Sequence, residues 1–220
     1  MEVLGVLLPL ALGVALSSIP MTVTVIILLS PRAKASGLAF LIGWVIGLAG
    51  VTILFVAGIS ATSSGFGRPD QAVVAAVELL LGLLLFGFGI WLIVRTPKEE
   101  KKPAPAWTKR VANLGPLPAF GLGLLLNIRP KAIALAIAAG LAISSVRMTT
   151  TELVVVLVIY VLLGSSTIAI PVVMLLFSPE KTAERLKRAR AWLSNHSRAL
   201  SIVVSLMLGV LLIGDAIGRF

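Results

Sequence analysis

Hydrophobic positions in this chain come in continuous runs, not in alternation. Six runs approach or exceed the roughly 20 apolar residues that a helix needs to cross ~30 Å of hydrocarbon. They cover residues 3–29, 37–59, 72–94, 117–145, 152–177 and 199–217. A membrane barrel would show short alternating segments instead. The pattern therefore predicts an all-α integral membrane protein with six transmembrane helices, each satisfying its own backbone.

Polar residues punctuate these runs in recognisable ways. Ser30-Pro31 and Ser178-Pro179 pair a helix-capping type with a first-turn proline, so each following basic loop is expected to open with a helical turn. Thr149 and Glu152 have the spacing of a capping box at the start of the fifth span. In residues 180–196, Ala183, Leu186, Ala189 or Arg190, and Leu193 fall on one helical stripe with bases elsewhere, which predicts a short interfacial helix. The Pro-rich charged stretch "RTPKEEKKPAPAWTKR" reads as a mobile linker between two halves. The expected organisation is a three-helix repeat over 1–94, a basic linker over 95–116 and a second three-helix repeat over 117–220.

The halves resemble one another. "LPLALGVALSSIP" in the first span and "LPAFGLGLLLNIRP" in the fourth each start with Leu-Pro and reach a second proline, Pro20 or Pro130, after a short polar cluster. The third and sixth spans align without a gap, "LLLGLLLFGFGI" against "LMLGVLLIGDAI", matching Gly82 with Gly209 and Gly87 with Gly214. Three spans per half force opposite orientations, so the expected architecture is two inverted three-helix repeats. Corresponding interrupted helices in such repeats point to a secondary-transporter site.

Composition fits this picture. The 220 residues are 58% hydrophobic and 13% charged, with a mean hydropathy of +1.08, more apolar surface than a soluble domain of this length could cover. The net charge of +10 does not indicate nucleic acid, because the bases sit between spans. Fourteen of the 19 Lys and Arg fall in the first, third and fifth loops, which places those loops in the cytoplasm and both termini outside. The same loops are expected to contact anionic headgroups of membrane lipids. With no Cys and one His, Cys-based and His-cluster metal sites are excluded and no cofactor is expected. No nucleophile–base pair is visible, so an enzyme is not expected.

The chemistry concentrates where the spans break. Proline removes a backbone donor and biases the preceding residue, here Arg129, away from helix. A charge at the bilayer centre costs about 2.5–3.5 kcal/mol on insertion scales, and Arg129 and Lys131 are two such charges. One alternative is that both snorkel to the headgroups. The other is that a helix restarting at Pro130 presents free N–H groups to an anion, with Arg129 as a fork and Lys131 as a point charge. Asn127, Ser17 and Ser18, beside Pro20, would then orient the ligand. Glu78 and Asp215 lie toward the outer ends of the third and sixth spans, either at the interface or as ion-pair partners or carriers of a coupling proton. Ser165, Ser166, Thr167 and Pro171 interrupt the fifth span, lining the same cavity or satisfying loosened backbone. Gly43-x-x-x-Gly47 is a helix-association pattern that raises a homodimer.

These features resemble the lysine-exporter (LysE) superfamily. Many of its members carry Asn-Pro-Lys at the second break, where this chain has Asn127-Ile128-Arg129-Pro130-Lys131. The length, the "LPLALGVALSSIP" opening and the basic linker look most like its GAP/Sap group of actinobacteria, the peptidoglycolipid- and sulfolipid-addressing proteins. The resemblance implies export or flipping of a cell-envelope glycolipid across the bacterial inner membrane. A LysE-type exporter of an amino acid or ion, or an accessory protein of a lipid-biosynthesis or export complex, are the alternatives.

Overall fold

The computed structural model describes residues 2–65, 71–95, 106–146, 148–177 and 179–219, and no strand occurs among them. Three helices cross a membrane's thickness by length and apolarity: α3 (Ala33–Gly65), α4 (Gln71–Val94) and α8 (Thr150–Phe177). A fourth, α9 (Pro179–Arg219), does so over Arg198–Gly218. The other two apolar runs form bent helix pairs. α1 (Glu2–Ala15) meets α2 (Ser18–Leu28) at 47°. Farther along, α5 (Ala106–Ala112) precedes α6 (Pro116–Leu125), which continues through a 3-10 turn at Leu126–Ile128 and meets α7 (Pro130–Ser144) at 65°. Counting each pair as one span gives six.

Both bends follow from proline chemistry. Pro20 cannot donate to the carbonyl of Leu16, and the helix ends one residue earlier; Ser17, at φ −74°, ψ 114°, then caps α2 in an extended conformation. Pro130 cannot donate to Leu126, and Arg129, at φ −75°, ψ 151°, is driven out of the helical region. Pro171 behaves differently from the expectation. α8 runs unbroken through it, because a single lost hydrogen bond is tolerated where neighbouring helices pack.

Close backbone approach organises the bundle. α6 runs alongside α3, with Gly43 against the Phe120 carbonyl and Gly123 against α3; a Cβ on Gly123 would lie 2.7 Å from the Trp44 nitrogen. Gly47 faces Asn127, whose Nδ2 would be 2.7 Å from an added Cβ. The Gly43/Gly47 pattern thus serves a crossing inside the chain, and the homodimer expectation loses the motif that raised it. α4 and α9 pack antiparallel through Gly82, Gly89 and Gly209: an added Cβ would meet Ile213, Leu206 or Phe86 within 3.0 Å. The core holds Phe40, Trp44 and Tyr160, each at 1% exposure or less. Outward positions are apolar, Leu54 and Leu162 being 69% and 66% exposed, as lipid-facing residues should be.

Caps close several ends. The Thr149 backbone N–H donates to Glu152 Oε2 at 2.8 Å and the Glu152 N–H to Thr149 Oγ1 at 3.3 Å, the predicted capping box. Arg198 of α9 donates from Nε to the Leu92 carbonyl at 3.1 Å and reaches the carbonyls of Ile93 and Arg95, so it caps the C-terminus of α4. Arg198 is therefore a structural cap as well as a loop charge.

Two expectations change. Residues 180–196 are helical but form no separate interfacial helix; they are the start of the 41-residue α9. Leu186 turns into the core at 4% exposure, while Arg188 and Trp192 face out. The linker contains the short helix α5, and its residues 96–105 lie outside the described residues, as does Ser178.

Candidate functional site

The two breaks lie at similar depth. At the second, the Asn127 side chain donates from Nδ2 to the carbonyls of Gly123 at 3.0 Å and Trp44 at 3.4 Å. Trp44 lies about 16 Å along α3 from Ala33 at 1.5 Å per residue. At the first, Thr167 Oγ1 donates to the Ala15 carbonyl at 2.7 Å. Thr167 lies about 15 Å along α8 from Phe177. Both reference ends, Ala33 and Phe177, adjoin the basic loops. The breaks therefore sit well inside spans about 40 Å long, not at their boundary.

Each break is braced by the other half of the chain. Thr167 of α8 holds the α1 terminus, and α3 holds the 3-10 turn through Asn127. The braces converge at Gly164 of α8, where an added Cβ would lie 2.9 Å from Leu48 of α3 and 3.3 Å from Val14 of α1. Among the described residues, no hydrogen bond joins Ser17 or Ser18 directly to Asn127, Arg129 or Lys131. Ser17 and Ser18 are half-buried; Pro20 is buried and its carbonyl accepts from Thr24 Oγ1 at 2.8 Å.

Arg129 is half-buried and folds back, its Nε donating to the Leu126 carbonyl at 2.9 Å. That is the carbonyl Pro130 left unpaired, so the side chain repairs the break that its neighbour causes. One edge of the guanidinium is thereby committed, and the remaining nitrogens make no protein hydrogen bond among the described residues. Lys131 is half-buried in the first turn of α7, and the charge acting on it is the like charge of Arg129. Two cations thus share a restarting helix N-terminus, where the dipole is also positive. Asn127, 2% exposed, is occupied by carbonyls and acts as a brace, while Pro130 is exposed.

The acids lie elsewhere. Glu78 is buried inside the bundle at 1% exposure. Asp215 lines a cavity of about 460 Å³ with Val3, Val6, Ala142 and Ser145, where the ends of α7 and α9 meet the start of α1. This is the end of the bundle away from the basic loops.

A buried polar seam runs between α3 and α8, and of its residues the sequence pointed only to Ser165. Trp44, Thr52, Tyr160 and Ser165 are each 3% exposed or less, and the Tyr160 hydroxyl lies against Thr52. Trp44 Nε1 and Ser165 Oγ make no protein hydrogen bond, an uncommon condition for buried polar atoms. The available signal was the spacing of Trp44, Leu48 and Thr52 on one helical face. Beside the seam, Ala49, Ile53, Val154, Leu157 and Val161 border a wholly apolar cavity of about 390 Å³ between the two helices.

No curated protein and no solved structure matches this chain. The family model described as Sap, sulfolipid-1-addressing protein, matches residues 7–218, nearly the whole of its 220 residues. A match of that extent takes in both proline breaks and most of every helix around them, and the chain belongs to the Sap, sulfolipid-1-addressing protein family.

Proposed function

We propose that the protein is a transporter that exports or flips an anionic or polar-headed envelope lipid across the bacterial inner membrane. The family's name and the multi-pass helical architecture support a role in envelope-lipid export. The observation that carries the mechanism is the second break: Arg129 and Lys131 at a helix N-terminus inside a span, with no carboxylate between them. Such a terminus favours phosphate, sulfate or carboxylate. The headgroup is held there, with Ser17 and Ser18 of the first break completing the site. The apolar cavity between α3 and α8 supports a lipid over a small solute, because it offers tails a lateral place beside the bundle.

In this reading the chain is an inverted repeat, and access alternates as one half rocks against the other. The braces support it: the broken span of each half packs on the second span of the other. Gly82 and Gly209, which align between the halves, also meet each other, with an added Gly82 Cβ 3.0 Å from the Gly209 carbonyl. Matched positions near a two-fold axis should do so. The basic loops face the cytoplasm and both termini lie outside. Glu78 and Asp215 are candidate coupling groups, Asp215 at the exit.

The test is native mass spectrometry of the purified protein, wild type beside Arg129→Ala and Arg188→Ala. Arg188 is an exposed base whose pairing with Glu184, at 3.5 Å, is weak. A specific anionic lipid kept by wild type and Arg188→Ala and lost from Arg129→Ala is the expected result. The same lipids on all three would reduce the site to surface electrostatics.

A further inference from the structure

At the basic end, away from the breaks, two cavities share Pro31 and Arg32. One, about 290 Å³, is completed by Ala112, Asn113 and Leu114. The other, about 440 Å³, is completed by Ala33, Lys34, Ala35 and Leu175. Their characters differ. The first is lined by Asn113 and by the segment between α5 and α6. The second is walled by alanines and by a leucine of α8, with Lys34 at its rim.

The local fold holds this arrangement open. Ser36 Oγ donates to the Leu114 carbonyl at 2.9 Å, tying the start of α3 to the segment before α6. The guanidinium lies beside Gly115, Arg32 Nη1 being at ordinary contact distance, 3.7 Å, from where a Cβ would stand. Arg32 is exposed and makes no ion pair or side-chain hydrogen bond among the described residues. A guanidinium standing between a polar and an apolar cavity matches an amphiphile with an anionic head.

We propose that these cavities form a loading site for an anionic lipid of the adjoining leaflet, with phosphate or sulfate on Arg32 and Lys34. The headgroup occupies the cavity at Asn113 and the first methylenes of a tail occupy the one at Leu175. Charge complementarity selects the occupant, as does position: the site lies where the apolar spans α3 and α8 meet the basic loops. The inference rests on the transport reading, since it supplies that site with its substrate before the headgroup reaches Arg129.

The experiment uses the full chain in detergent with phosphatidic acid carrying a photoreactive group in one tail, followed by peptide mapping. Crosslinks are expected within residues 31–35 and around Leu175. Arg32→Gln should lower them about tenfold, the loss of one charge-assisted hydrogen bond. Ala35→Phe, which fills the apolar cavity and leaves the charges intact, should lower them as well. Crosslinks at these positions that ignore Arg32→Gln would overturn the proposal. So would displacement of the lipid by inorganic phosphate with no effect of Ala35→Phe, which would make this a free-anion site. Arg129→Ala, run in parallel, separates the two readings. Lipid retention that depends on Arg129 and not on Arg32 removes the loading site alone. Crosslinks that depend on Arg32, with retention indifferent to Arg129, remove the transport reading and leave a lipid site at Arg32.

Discussion

Arg129 does two things with one side chain. Its Nε repairs the Leu126 carbonyl, and its remaining nitrogens carry charge into the span interior. The two roles separate by substitution. Arg129→Lys keeps the charge but lacks the planar fork. It should retain part of the anionic-lipid binding that Arg129→Ala loses, while both lower thermal stability in detergent by a similar amount. Equal lipid retention by all three proteins would leave Arg129 as a brace only. Thr149 offers a simpler case. Thr149→Ala removes the capping box and should destabilise by about 1 kcal/mol, read as a lower melting temperature with unchanged lipid binding. That cap was legible from two letters three residues apart, because a capping box is a local object. The Thr167 bond to Ala15 was not, since the partners lie 152 positions apart. Thr167→Val should destabilise by about 1 kcal/mol and loosen the first break, detectable as faster hydrogen exchange at the start of α2.

Among elements, the crossing of α3 and α6 depends on glycine at Gly43, Gly47 and Gly123, where backbone meets backbone. Gly47→Leu should push Asn127 off its carbonyls and cost several kcal/mol in the manner of an overpacked core. The expected readout is a large fall in melting temperature, whereas Gly50→Leu, in open space, should be tolerated. A helix-association motif read from sequence cannot say whether its partner is another copy or another part of the chain. Here the partner is α6. The long apolar helices and both breaks were legible, because length, apolarity and proline are local properties. The continuity of α9 from the basic segment into the sixth span was not, because the stripe with Leu186 is equally compatible with lying on a membrane or packing on the bundle. The buried Leu186 decided between them.

At the scale of the molecule, the charge distribution predicts an orientation that is open to direct test. The chain has no Cys, so single cysteines report cleanly. A membrane-impermeant maleimide applied to intact cells should label Thr151→Cys, and should label His196→Cys only after permeabilisation. Both positions are exposed, Thr151 in the first turn of α8 and His196 just before the apolar part of α9, toward opposite ends of the bundle. The reverse pattern would invert the topology and turn export into uptake, with the proposed loading site at Arg32 on the outer face. The separation of charge along the bundle gives the question its interest. Bases crowd one end and the Arg129 break, whereas Asp215 lines the cavity at the other. An anion moving along α7 would leave two cations and approach a carboxylate, which favours release there.

The sequence by itself determined the all-helical, multi-pass character, the long apolar helices, two proline breaks and the concentration of positive charge at alternate loops. Each follows from residue type and spacing along one segment, where backbone satisfaction and apolar length leave few choices. Tertiary structure alone decided what holds the breaks: Asn127 on Trp44, Thr167 on Ala15, and Gly164 packed between Leu48 and Val14. It also decided that Gly43 and Gly47 face inward and that Arg32 stands between two cavities of different character. Those are contacts between distant segments, set by how rigid helices fit together, and no local pattern encodes which helix will be the neighbour.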